Sequence, residues 1–159
     1  MIHSLRYINT IMKKALVTGG SGFIGSAICK MLLSKGISVT SFDNYSRKSI
    51  IKSKLPIKYI SGDITKIRDL NKIKGNFDYV FHLAFINGTK FFYEIPEKVI
   101  DVGIKGAFNI VDFSKKRKVK EFYLASSSEV YQTPENIPTD ECETMRVPDA
   151  YNPRYSYGA

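Results

Sequence analysis

Three glycines at the spacing Gly19-x-x-Gly22-x-x-Gly25 stand between a strand pattern and a helical pattern, and this placement gives them a chemistry. Gly19 suits a tight turn. Gly22 lacks the Cβ that would hold a diphosphate off the backbone, and Gly25 lets a helix pack close to a strand. A helix opening at Phe23 and Ile24 would turn unpaired N–H groups and the positive end of its dipole toward phosphate oxygens. The same triplet also serves a turn needed only for packing, so its neighbours must decide. Asp43 ends the next strand pattern, 18 residues past Gly25. A carboxylate there accepts from the ribose hydroxyls of a dinucleotide and repels a 2′-phosphate, which favours NAD over NADP. Arg47, four residues on, argues the other way as a partner for that phosphate. Asp43 also suits a plain turn at a strand end. Asp63 poses the same choice, between an adenine contact and a turn residue.

The elements that must hold these groups alternate strand and helix. The first strand is expected over 14–18 and a helix from Phe23 to about Lys35, with Ile24, Ala27, Ile28, Met31 and Leu32 on one face and Gly36 as its stop. Val39–Phe42 predicts a second strand. Tyr45 to Lys54 reads as a polar, basic loop, 58–61 as a short strand, and 67–73 as a short helical segment. Tyr79–Leu83 follows as a fourth strand. A long helix opens near Pro96, where proline at the first position costs nothing, with Ile100, Ile104, Ala107, Phe108 and Val111 predicted to share its buried face. Glu121–Ala125 is a fifth strand, and 126 to about 152 is loop-like. The alternation predicts an α/β fold, a doubly wound parallel sheet of the Rossmann type with about five strands. Residues 1–11 carry no pattern and are expected to be an extension, with Met12 as a natural start, so the domain is read as 12–159.

The residues Thr18-Gly19-Gly20-Ser21-Gly22-Phe23-Ile24-Gly25 resemble the TGGxGFIG cofactor motif of the extended short-chain dehydrogenases/reductases, the NAD-dependent nucleotide-sugar epimerase/dehydratase family. Further stretches carry the resemblance in family order. Asp43-Asn44 resembles its ribose contact and Gly62-Asp63-Ile64 its adenine contact. His82-Leu83-Ala84 is similar to the HLAA stretch whose backbone borders the cofactor, Ser126 to Tyr131 to its active-site serine motif, and Tyr155 to Ala159 to the start of its YxxxK motif. Two positions depart from the pattern. Gly103 stands where the family commonly has Asn, and Phe85 where a second alanine is usual.

The resemblance implies that NAD removes a hydride from a sugar carbon while a base takes the hydroxyl proton. A phenol, which ionises near pH ~10, is a poor base at neutral pH unless positive charge stabilises its phenolate. In the family a lysine four residues later supplies that charge. Tyr155 would need it at Ala159, and Tyr151 would need it at Tyr155. Tyr157 would need it at position 161, beyond these 159 residues. The resemblance makes Tyr157 the motif tyrosine and Ser127 the hydroxyl that shares the reacting proton. Glu129 matches a glutamate that moves a proton at the neighbouring carbon in the family's dehydratases and decarboxylases; it is also read as a solvated loop carboxylate. The chain is then expected to be the N-terminal part of such an enzyme, without its sugar-binding portion and without turnover of its own. A nucleotide-sugar substrate and a homodimer are implied for the full-length protein. A non-catalytic dinucleotide-binding module is the alternative from the residues.

Composition narrows the field further. With 159 residues, 43% hydrophobic and 25% charged, the chain suits one domain with a real core. No apolar run nears the ~20 residues that span a bilayer, and the N-terminus has no secretory h-region. Cys29 and Cys142 are too few for a disulfide framework and have no metal-ligand spacing, so no metal site is expected. A soluble, cytoplasmic chain is the expectation. The net charge of +9 permits an anionic partner, yet the basic run 115–120 reads as a solvated helix end that complements the dipole, and no nucleic-acid motif accompanies it. His82, in a buried strand pattern, reads as a core histidine.

Overall fold

The computed structural model describes residues 12–47 and 55–158. The expected extension 1–11 and most of the basic loop that follows Tyr45 lie outside them. Five strands, β1 (Lys14–Thr18), β2 (Ser38–Asp43), β3 (Lys58–Ser61), β4 (Tyr79–His82) and β5 (Glu121–Leu124), form one parallel sheet in the order β3-β2-β1-β4-β5. This is the doubly wound order, with its switch point between β1 and β4. The helices are α1 (Phe23–Ser34), α2 (Ile67–Leu70), α3 (Thr89–Glu94) and α4 (Pro96–Lys116).

Alternation along β1 builds a core on each side of the sheet. Leu16 joins Phe42, Val80, Ile110 and Phe113 on one face, and Ala15 and Val17 join Cys29, Leu32 and Val39 on the other. Register aligns the strand ends. Thr18 pairs with Phe42 on one side and His82 on the other, and His82 pairs with Leu124. The residues that follow, Gly19, Asp43, Leu83 and Ala125, therefore emerge along one carboxyl edge. Hydrogen bonds from Gly19 N to the Phe42 carbonyl (2.8 Å), Leu83 N to Thr18 (3.1 Å) and Ala125 N to His82 (3.1 Å) carry the alignment past the strands.

Both helix faces expected from hydropathy need correction. In α1 the buried residues are Gly25, Cys29 and Leu32, so of the expected face Leu32 is buried and Ile28 packs against the core, whereas Ile24, Ala27 and Met31 are exposed. In α4 they are Val99, Gly106, Ile110, Phe113 and Ser114, and the predicted stripe of Ile100, Ile104, Phe108 and Val111 faces outward. The true faces lie about a third of a turn away. Glycines set them. A Cβ on Gly25 would run into the Gly19 carbonyl, and one on Gly106 would run into the Ile64 side chain, so each helix turns its glycine to the closest approach. α3 was not expected as a helix. The loop after Ala125 also holds two short 3-10 turns, Ser128–Val130 and Pro153–Ser156.

The basic run at the end of α4 is partly committed to the fold. Arg117 donates to the carbonyls of Gly75 (2.6 Å) and Ile73 (3.1 Å), and Lys120 pairs with Asp78 at 2.8 Å. No helix among the described residues is long and apolar enough to cross a membrane.

Candidate active site

The glycine turn carries the chain from β1 to α1. Gly19 adopts φ +69°, which an L side chain resists, and a Cβ there would stand 2.9 Å from the Leu83 carbonyl and from Ala84 N. The backbone after β4 therefore crosses directly over the turn, and Leu83 and Ala84 border it. Gly22, with φ −76°, precedes α1, and among the described residues a Cβ on it would meet only the Gly19 carbonyl, at 3.2 Å. Among the described residues no side chain caps the helix, and its first turn holds no acid. Its first N–H groups are thus left to bind an anion. Phe23 and Ile24 are exposed at the same end. An open space beside an uncapped N-terminus, one that a Cβ on residue 22 would enter, fits the diphosphate of a dinucleotide. Cys29 packs beneath the turn, where burial pushes its thiol up to about 11 and keeps it inert.

Asp43 is tied to this turn. Its Oδ2 accepts from Ser21 N at 3.0 Å and its Oδ1 from Tyr45 N at 2.8 Å. Each oxygen keeps lone-pair capacity for a hydroxyl donor. The turn role and the ribose role are therefore compatible. Asn44, exposed beside it, accepts from Ser46 N at 3.0 Å. The Arg47 guanidinium lies over the Phe91 ring, 5.6 Å from its centroid, and has no carboxylate partner among the described residues. Asp63 is more heavily used within the chain, since its Oδ1 takes both Thr65 N (2.9 Å) and Thr65 Oγ1 (2.8 Å). The Ile64 side chain is in the core and its carbonyl accepts from Asn109, so a contact from Ile64 to a base would come from its N–H.

His82 closes β4 as a buried, neutral group. Thr18 Oγ1 accepts from the N–H groups of Leu83 (3.2 Å) and Ala84 (3.3 Å), which leaves its proton for His82 Nδ1 at 2.7 Å. This pairing assigns the imidazole proton to Nε2, which is buried and has no hydrogen-bond partner among the described residues. Burial lowers this group from its ordinary 6.5 to about 4. The unfolded chain therefore takes up the proton first as pH falls. Stability is expected to be level above about 6.5 and to decline toward pH 4, by up to about 1.4 kcal/mol per pH unit. Urea midpoints at pH 7.5 and pH 5 would measure this, and His82→Gln should remove most of the difference. An unchanged difference in the variant would assign the decline to other groups.

The remaining candidates lie on two segments that touch. Ser127 caps the first 3-10 turn, its Oγ accepting from Glu129 N at 3.2 Å. Arg154, on the second turn, reaches the Glu129 carboxylate at 3.2 Å and 3.4 Å. A Cβ on Gly158 would stand 2.7 Å from the Glu129 carbonyl, so the two segments are in backbone contact. Tyr157 closes the second turn, which packs on α3 and α4. Its ring stacks on Phe92 (centroids 4.8 Å, 20°) and meets Phe85 edge-on (5.2 Å, 84°). Among the described residues no hydrogen bond joins Ser127 to Tyr157. Glu129 is thus half-buried and ion-paired rather than simply solvated. Arg154 and Phe92 were missed from the sequence. A cation three residues before the motif tyrosine was a usable signal for the first; the second rides on the unexpected helix. The described residues contain no cluster of His, Cys, Asp and Glu that would hold a metal ion.

The family model described as the NAD dependent epimerase/dehydratase family matches residues 15–159. A bifunctional UDP-glucose 4-epimerase and UDP-xylose 4-epimerase of Pisum sativum is 30% identical over 152 residues, covering 87% of this chain and 43% of its own. A UDP-N-acetyl-alpha-D-glucosaminuronate decarboxylase of Bacillus cytotoxicus is 38% identical over 122 residues, 75% of this chain and 38% of its own. Among solved structures, a UDP-glucose 4-epimerase from Bifidobacterium longum in complex with NAD+ and UDP superposes with a TM-score of 0.80 at 28% identity, covering 91% of this chain and 46% of that one. The chain thus spans less than half the length of these relatives.

Proposed function

Because the chain belongs to the NAD dependent epimerase/dehydratase family, we propose that residues 12–159 are the cofactor-binding part of an NAD-dependent enzyme that oxidises a hydroxyl of a nucleotide sugar, in the manner of an epimerase or dehydratase. The observation that carries this reading is the uncapped N-terminus of α1, with Asp43 hydrogen-bonded to the turn beside it. Gly19, Gly22, Phe23, Ile24 and Gly25 would hold the diphosphate, Asp43 and Asn44 the ribose, Asp63 and Ile64 the adenine edge, and Leu83 and Ala84 the far side. NAD, when bound, supplies the acceptor for a hydride from the carbinol carbon. Tyr157 takes the hydroxyl proton on its phenol oxygen, with the Ser127 hydroxyl sharing it. Glu129 moves a proton at the neighbouring carbon, and Arg154 holds its carboxylate in place. The same proposal covers a cytoplasmic protein and a homodimer, for which the exposed Ile104 and Phe108 of α4 offer an apolar surface.

Cofactor choice tests the reading. Asp43 opposes a 2′-phosphate while Arg47, held over Phe91, has a guanidinium without a carboxylate partner among the described residues that would favour one. We expect Asp43 to dominate, because it is pinned at the end of β2 by two backbone N–H groups. Calorimetric titration of the chain should show NAD binding at least about tenfold tighter than NADP, a difference of about 1.4 kcal/mol. Equal or tighter NADP binding, lost in Arg47→Ala, would reverse the assignment. Binding of neither cofactor would sink the reading of the glycine turn.

A further inference from the structure

The two departures from the family pattern, Phe85 and Gly103, come together in space. A Cβ on Gly103 would stand 2.5 Å from the Phe85 Cζ and 2.9 Å from its Cε2, well inside contact distance. Any side chain at 103 therefore displaces the Phe85 ring, and the ring lies over α4 only because residue 103 has none. That ring has a second neighbour. It meets the Tyr157 ring at 84°, while Phe92 stacks on the same tyrosine at 20°. The two contacts constrain different motions. Stacking on Phe92 sets the plane of the phenol but leaves it free to slide, and a perpendicular ring blocks sliding. Tyr157 follows directly on the four-residue 3-10 turn Pro153–Ser156.

We propose that Phe85 is a positioning residue for Tyr157, that it and Phe92 fix where the phenol oxygen stands, and that Gly103 is required to admit the Phe85 ring. The proposal rests on the reading of Tyr157 as the proton acceptor. A base acts only within hydrogen-bond reach of the proton it takes, so a misplaced phenol loses rate more than it loses substrate affinity. Phe92 is only 3% exposed, and its truncation would disturb folding as well as aim. Phe85 is 39% exposed and makes the cleaner probe.

The test uses Phe85→Ala, Phe85→Leu, Gly103→Ala and the Phe85→Ala/Gly103→Ala double variant. In the full-length gene product, assayed with NAD and UDP-sugars, each single variant should lower kcat about ten- to a hundredfold with KM within about threefold. The double variant should be no worse than Phe85→Ala alone, because residue 103 acts only through the ring. In the 159-residue chain labelled with 13Cζ-tyrosine, the resonance absent from Tyr157→Phe identifies Tyr157. It should move in Phe85→Ala, move similarly in Gly103→Ala, and move in Phe85→Leu, which keeps apolar volume but no ring. A parent that turns over with variants at parental kcat, a Tyr157 resonance unmoved in Phe85→Ala, or additive losses in the double variant would each overturn the proposal. A full-length parent that binds NAD yet turns over no UDP-sugar would instead overturn the functional reading beneath it, while a Tyr157 resonance that still moves would uphold the ring contacts.

Discussion

Gly22→Val is expected to abolish NAD binding to the chain while leaving its thermal transition within a few degrees of the parent. The backbone permits the exchange, since φ −76° and ψ 177° at Gly22 are an extended conformation that any residue adopts. A Cβ there would meet one atom, the Gly19 carbonyl oxygen at 3.2 Å, a crowding that a shift of a few tenths of an ångström relieves. The folding cost is that of a poorer helix cap, about 1 kcal/mol. The isopropyl group, however, would enter the open space beside the uncapped N–H groups of α1, where the diphosphate must come into contact with the backbone. Loss of those charge-assisted hydrogen bonds should weaken binding more than about a hundredfold, or about 2.7 kcal/mol. Gly22→Ala should fall between the two. Calorimetry with a parallel circular-dichroism melt separates the effects, and a valine variant that binds NAD as the parent does would move the phosphates elsewhere.

The same glycines mark the limit of what hydropathy could show. The strands, their order along the chain and the glycine turn were legible, because strand ends, Asx turns and a C-terminal glycine at Gly36 are local features. The buried helix faces were legible only in part, through Leu32 and Ile28 of α1. A hydropathy stripe gave weight to Ile24 and Met31 in α1 and to Ile104 and Phe108 in α4, all of which are exposed. The inward residues include Gly25 and Gly106, which score as neutral but permit the closest approach. The candidate site divides in the same way. The positions of Asp43 at a strand end and Ser127 at a turn were readable, whereas the Arg154–Glu129 pair spans 25 residues and the two rings around Tyr157 come from two separate segments, the one after β4 and α3. Phe85 and Gly103 were each visible as a departure from a pattern. That they form one exchange depends on how β4 and α4 pack, which no local spacing encodes.

A polypeptide of these 159 residues alone is expected to show no epimerase or dehydratase turnover, and Tyr157→Phe in the full-length gene product to lower kcat about a thousandfold. The argument is electrostatic before it is geometric. A phenol serves as base at neutral pH only when a cation stands near it. The groups packed on Tyr157 are the rings of Phe85 and Phe92. The nearest cation in sequence, Arg154, is paired with the Glu129 carboxylate. Nothing among the described residues therefore offers a charge to the phenolate, and the lysine that the motif would place at position 161 is the group to do so. On the proposed reading of Tyr157, removing the phenol oxygen removes the acceptor outright. Ser127→Ala should cost less, about ten- to a hundredfold, because a water can take part of the place of a hydroxyl that already accepts from Glu129 N. Glu129→Gln should spare the oxidation step, seen as single-turnover reduction of NAD, and suppress any later step that needs a proton moved at the neighbouring carbon. Sustained turnover by the 159-residue polypeptide, or a full-length Tyr157→Phe variant at parental kcat, would show that another group takes the proton.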